Sequence, residues 1–242
     1  MPVTIEKKPG AAVQRKNLTE QLYEILEDQI ISGDIQPGTK LSEENVAAVF
    51  GVSRSPAREA ITELERIGLA ARMGPRDRIV AMPTAELIQE TFEIWWILDA
   101  GRSYLSSLKA TDEDHDHLYR LLDEIDEAQA AGDENRRVKL SESFHGLLYN
   151  GCTNGQLLRI INDYGKYIRW FKTLYYRHID KSETSRIEHR QIVDNYVQKD
   201  LLGLTDLIRR HILRQRDDVI THFAQRQGPE GLAGVASRPT DG

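Results

Sequence analysis

The chain has 242 residues, of which 40% are hydrophobic and 29% charged, enough apolar material for one large domain or two ordinary ones and too much for a disordered chain. Its net charge of -6 excludes a uniformly basic nucleic-acid-binding protein, so any contact with phosphate has to come from a local patch. A single cysteine, Cys152, excludes an intrachain disulfide framework; the densest apolar run, Ile94 to Leu98, is too short to span a bilayer, and no apolar stretch follows Lys7 and Lys8. The cytoplasm is the expected compartment, with no membrane partner.

In chain order, residues 1–16 carry no apolar periodicity and are expected to form a flexible arm. Leu18, Leu22, Ile25, Leu26 and Ile30 then recur at helical spacing behind an N-cap arrangement of Asn17 and Glu20, which predicts a first helix ending near Ser32-Gly33. The run 34–38 (Asp-Ile-Gln-Pro-Gly) reads as a turn. Ser42 can cap a short second helix with Val46, Ala47 and Phe50 inside, and Gly51 stops it. Ser53 or Ser55 can cap a third, with Pro56 tolerated in its first turn and Ala57, Ala60, Ile61 and Leu64 as its buried stripe, up to Gly68. Residues 69–81, with Gly74-Pro75 in the middle and Ile79-Val80 after it, suggest two brief strands. Met82-Pro83-Thr84 reads as a linker. From there to about Gln225 every apolar pattern is helical, with breaks near 109–111, 131–133, 150–155 and 180–182, so six or seven helices are expected before a Gly- and Pro-rich flexible tail. The fold class is therefore mainly α: a winged helix-turn-helix over residues 17–82, an all-α bundle over 83–226, and a tail over 227–242.

Helix, helix, Gly-containing turn, helix and β-wing is the order in which a winged helix-turn-helix presents its last helix to the major groove. Six arginines lie between Arg54 and Arg78 against four acids. Arg54 and Arg58 are four residues apart, on one face of the third helix and away from its apolar stripe. Arginines there can donate two hydrogen bonds each to guanine; Ser53 and Ser55 can hold phosphates, and Arg72, Arg76 and Arg78 on the wing can reach the DNA backbone or minor groove.

The run from Gly51 to Leu69, Gly-Val-Ser-Arg-Ser-Pro-Ala-Arg-Glu-Ala-Ile-Thr-Glu-Leu-Glu-Arg-Ile-Gly-Leu, closely resembles the recognition-helix signature of GntR-family regulators, and Pro37-Gly-Thr-Lys-Leu41 resembles the turn before their second helix. The resemblance spans about residues 18–81 and implies that Arg54 and Arg58 contact DNA. Two departures stand out: Glu44 takes a position where some members of the family carry a basic residue, and the wing lacks the usual Gly-Arg/Lys-Gly tip.

His145, His189 and His211 each fall on an expected helix beside apolar residues such as Phe144, Leu148, Ile192, Leu207 and Ile208, whereas His115 and His117 sit in a charged helix start read as a solvated face. Phe144-His145, Glu188-His189 and Arg209-Arg-His-Ile212 resemble the three histidine motifs of the fatty-acid-regulator-like (FCD) effector domain of the same family. That resemblance implies a divalent metal, zinc, nickel or manganese, with Ser141 standing where the family has an aspartate ligand. Trp95 takes the place of a family arginine beside the effector pocket, and Arg102, Arg159 and Arg169 are candidates for pairing with a carboxylate effector. The function implied is a homodimeric repressor that binds a palindromic DNA operator and is released by a small organic acid. The alternatives are a metal-dependent hydrolase, for which neither HExxH nor a nucleophile motif is present, and a dimeric DNA-binding protein without sensing.

Overall fold

The structure is a computed structural model describing residues 18–74, 77–175 and 183–227. The expected arm, the tail beyond Gln227, Arg76 and the break at 180–182 lie outside the described residues. The chain divides into two compact units between Met82 and Pro83.

The first unit opens with α1 (Leu18–Ile31), whose Leu22, Leu26 and Ile30 stripe is buried against α3. Helix α2 (Glu43–Phe50) starts where the Ser42 hydroxyl accepts from the Asn45 amide, and stops at Gly51, whose left-handed φ of 65° few side chains tolerate. Helix α3 (Arg54–Arg66) starts at Ser53 and buries Ala57, Ala60, Ile61 and Leu64 completely, as the spacing predicts. Strands β1 (Ala70–Arg72) and β2 (Arg78–Val80) pair antiparallel with Ala70 opposite Val80 and Arg72 opposite Arg78. Lys40 adds a bridge to Ile79, which ties the turn before α2 to the wing. Leu69 and Val80 close the core beneath it.

The second unit has six helices among its described residues: α4 (Ala85–Ser107), α5 (Asp112–Ala130), α6 (Glu134–Tyr149), α7 (Gly155–Tyr175), α8 (Glu183–Gln198) and α9 (Leu201–Gln227). Thr84 caps α4, Thr111 and Asp114 form a reciprocal capping box at α5, and Asp133 caps α6. Helix α4 is central and packs against α6, α7, α8 and α9. Small buried residues make that possible: Ala100, Ser103, Ser106 and Ser107 let neighbouring backbones approach. The Ser106 hydroxyl lies 2.9 Å from the Tyr196 hydroxyl and accepts from the Gly151 amide at 2.9 Å, so no polar group is stranded there. No helix among the described residues is long and apolar enough to cross a membrane.

His115 departs from the sequence reading. Its side chain is only 13% exposed and meets the Tyr196 ring edge-on at 6.2 Å, because α5 packs on α8 along that face; His117 is exposed as expected.

Candidate functional site

Two regions concentrate functional side chains, one in each unit. In the first unit the start of α3 projects from the surface. Arg54 and Arg58 are both exposed, while the residues between and beyond them on the inner face are fully buried, so one side of the helix is anchored and the other is free to dock. The Ser53 hydroxyl makes no capping bond. The Ser55 hydroxyl donates to Glu59 Oε1 at 3.1 Å.

Much of the local basic charge is already matched. Arg54 Nη2 lies 3.1 Å from Glu44 Oε1, and Lys40 Nζ lies 2.6 Å from Asp77 Oδ1. Glu65, near the end of α3, accepts from Arg72 Nε at 2.5 Å and from Arg78 Nε at 2.9 Å. Arg72 and Arg78 face each other across the wing, an arrangement that like charges disfavour unless an anion intervenes, and Glu65 supplies it. Arg78 is thereby the least available of the expected DNA contacts. Its side chain is 11% exposed and committed to Glu65, so reaching a phosphate would cost the ion pair that holds the wing to α3. Arg72, at 58% exposure, keeps an open side.

The hydrogen bonds from Arg78 and Arg72 hold the Glu65 carboxyl below its ordinary value, with burial acting weakly in the other direction. A lowered carboxyl contributes stability that is complete above the ordinary value of 4.5 and disappears as pH falls through the lowered one. Acidification from above pH 4.5 down through the lowered value should therefore loosen the wing. Thermal unfolding followed over that interval should show a shallower pH dependence for Glu65→Gln than for the parent; identical slopes would refute this role.

In the second unit a cavity of about 160 Å³ is lined by α4, α6, α7, α8 and α9. His145, His189 and His211, from α6, α8 and α9, converge on it, with ring centroids 5.5 Å apart for His145 and His189 and 4.8 Å for His189 and His211. Burial pushes the His145 imidazole well below its ordinary value, and His189, His211, Lys172 and Arg102 add to the effect, so it stays neutral and keeps a lone pair. Phe144 packs on the rings of both His145 and His189.

Opposite the histidines, Arg102 donates to Asp99 Oδ1 from Nε at 2.7 Å and from Nη2 at 2.5 Å, and its guanidinium carbon stands 3.4 Å from the Tyr149 ring centroid and 5.2 Å from that of Trp95. The Tyr149 hydroxyl donates to Asp99 Oδ2 at 3.0 Å and lies 3.5 Å from His145 Nδ1. Burial, then the Asp99 charge, push the Tyr149 phenol up, so it remains a proton donor. Lys172 on α7 adds a second cation to the lining.

The donor chemistry fits a divalent ion: imidazoles from three helices, and behind His211 a carboxylate, Glu188, whose Oε2 lies 2.7 Å from Nδ1. The atoms are not arranged as a ready-made ligand set, since no group of three or more His, Cys, Asp or Glu among the described residues is so placed. Ser141 sits one turn before His145 and does not line the cavity.

Residues 90–214, more than half of the chain, match the FCD domain, and residues 18–76 match the bacterial regulatory proteins of the gntR family. The chain belongs to the GntR family, with an FCD domain. It is a DNA-binding transcription regulator and not an enzyme. It is similar to the uncharacterized HTH-type transcriptional regulator YdhC of Bacillus subtilis, at 29% identity over 80% of this chain and 85% of that one. Among solved structures, a GntR putative transcriptional regulator from Rhodococcus sp. RHA1 superposes with a TM-score of 0.64 at 21% identity, over 86% of this chain and 100% of that one. Escherichia coli McbR does so with 0.61 at 21% identity, over 88% and 100%.

Of the effector candidates in this GntR-family regulator, Trp95 and Arg102 line the cavity. Arg159 and Arg169 do not. Both are exposed on α7, whose Ile161, Gly165 and Ile168 face is turned inward and brings Lys172 to the lining instead. The guanidinium over Trp95 comes from Arg102, two turns along α4, so the pocket has its cation although the expected position carries an indole. Sequence reasoning passed over Asp99, Tyr149, Lys172, Glu188 and Gln215. For three of them the local signal was spacing: Asp99 lies four residues after Trp95, Tyr149 four after His145 and Gln215 four after His211, each one helical turn from a residue already singled out.

Proposed function

We propose that this regulator is a homodimeric repressor whose residues 17–82 read a palindromic operator and whose residues 83–226 dimerise and sense a small carboxylate. The observation that carries the sensing half is the cavity itself, lined by five helices and holding Arg102, Lys172 and three histidines among apolar walls. An anion entering it meets cations and N–H donors in a low-dielectric setting, where each contact counts for more than it would in water. A divalent ion, zinc, nickel or manganese, would be held by His145, His189 and His211; when bound it supplies a Lewis-acid anchor for a ligand oxygen. Arg102 and Lys172 orient the carboxylate, and Trp95 and Phe144 exclude water around it.

For the DNA-reading half, the support is the outward pair Arg54 and Arg58, with the Ser53 hydroxyl and Arg72 positioned for the phosphates and Arg76 on the wing as an additional contact. Reading a palindrome needs two copies. The outward face of α4 offers the surface: Ile94, Ile97, Gly101 and Leu108 share one stripe, the three large ones 36%, 57% and 47% exposed, and a Cβ at Gly101 would meet nothing within 4 Å. A second helix can approach closely there. Ile97→Glu should convert the dimer to monomers in sedimentation equilibrium and remove palindrome binding, whereas a variant still dimeric would place the interface elsewhere. Operator and repressor act in the cytoplasm, where the chromosome is.

The decisive experiment selects an operator from random duplexes with the purified protein, then measures operator affinity and thermal stability with and without a chelator and across a panel of small organic acids. Release by an acid in the parent but not in Arg102→Gln is the expected result. If neither chelator nor any acid changes either quantity, the helical unit only dimerises.

A further inference from the structure

We propose that Gln215 gates the histidine site: its side-chain amide occupies the position from which His211 Nε2 would bind a metal ion, and so sets how tightly the site takes one. The inference rests on His145, His189 and His211 being the metal-holding trio.

His211 is 5% exposed, so both ring nitrogens need partners within the protein. Nδ1 lies 2.7 Å from Glu188 Oε2. The same carboxylate receives Arg214, from Nη2 to Oε2 at 2.7 Å and from Nε to Oε1 at 3.2 Å. An ionised carboxylate held this way only accepts, so the proton of a neutral His211 sits on Nδ1 and the Nε2 lone pair points into the cavity. That is the tautomer a metal ligand requires, and the carboxylate behind it is the usual means of fixing it.

The lone pair already has a partner. Gln215 Nε2, one turn further along α9 and 7% exposed, lies 2.7 Å from it. Of the two ends of the amide, only the N–H₂ can donate to a lone pair, so the side chain's orientation follows from the tautomer that Glu188 dictates. The three rings are adjacent and yet form no ready-made ligand set, and the Gln215 amide accounts for this at His211. An arriving ion has to displace a buried hydrogen bond and leave the amide to find another acceptor. Gln215 lines the same cavity, so an effector oxygen that accepts from the displaced N–H draws the gate open, and ion and effector bind cooperatively.

The test uses the full chain stripped with a chelator and titrated with Zn²⁺ and Ni²⁺ against a chromophoric competitor. Gln215→Leu keeps the volume and removes the donor; it should bind about tenfold more tightly than the parent, the equilibrium worth of one hydrogen bond, with one ion per protomer in both. Should the leucine variant fail to fold, Gln215→Ala is judged by the same standard. An affinity equal to or below the parent's overturns the gate while leaving the trio intact. If neither parent nor variant takes either ion, or if His189→Ala leaves binding unchanged, the trio fails and the gate with it. Independently of metal, ¹H–¹⁵N spectra of the stripped protein should show His211 protonated at Nδ1; protonation at Nε2 overturns the proposal.

Discussion

Arg58→Ala is expected to weaken binding to a selected operator by about 1–3 kcal/mol per half-site, a factor of about 5 to 150, while binding to an unrelated duplex of equal length falls far less. Arg58 lies on the outer face of α3, one turn into a helix whose opposite side is pinned by Ala57, Ile61 and Leu64, so under the proposed function its guanidinium would face the base edges. Arg54 is a weaker determinant by the same logic, because Glu44 competes for it and DNA has to displace that pair first. Fluorescence anisotropy on both duplexes over a range of salt separates the two kinds of contact. Equal losses on the two duplexes would show that Arg58 grips phosphate and does not read bases.

Gly151→Ala should be the most damaging small substitution in the helical unit. A Cβ at this position would stand 2.6 Å from the Ser106 carbonyl oxygen and 3.1 Å from its Cα, both backbone atoms at the end of α4 that cannot swing aside. Relieving the overlap means parting the 150–155 turn from α4, which also stretches the Gly151 amide bond to the Ser106 hydroxyl and disturbs the contact of that hydroxyl with Tyr196. A cost of about 1–3 kcal/mol follows from overpacking alone. Gly146→Ala is the matched control: it lies in the last turn of α6, exposed, with nothing within 4 Å of the added carbon, so it should stabilise by about 0.5 kcal/mol. Urea unfolding of the pair reads both signs at once. A Gly151→Ala midpoint equal to the parent's would mean that the close approach to Ser106 is easily relaxed.

What could be read from the sequence was local. The stripe Ala57, Ala60, Ile61 and Leu64 defines both the buried and the outward side of α3, because helical spacing alone decides which residues share a face. The capping residue Ser42 acts within three residues of itself, and the boundary at Met82-Pro83 is marked by its own composition. Strand register could not be read in this way. Without knowing that Arg72 and Arg78 are cross-strand neighbours there is no reason to expect Glu65 between them, or Arg78 to be tied to it.

The cavity was harder still. Helix α4 touches four other helices and so lacks a plain polar side, which leaves Asp99 and Arg102 looking like any charged pair one turn apart. Convergence of the three histidines was implied by family resemblance, since separations of 44 and 22 residues carry no geometry. The partner Glu188, which decides the His211 tautomer, depends on how α8 meets α9, whereas Gln215 lies one turn from His211 on α9 itself.

Helix α4 is also the first element after the junction between the two units. It begins at Ala85, just past the junction, and its 23 residues make a rod of about 35 Å. Trp95, at its middle, and Arg102, two turns further on, line the cavity. One end of that rod is the point from which the DNA-reading unit is tethered, so under the proposed function a tilt of α4 on ligand binding would reach the tether through the helix itself.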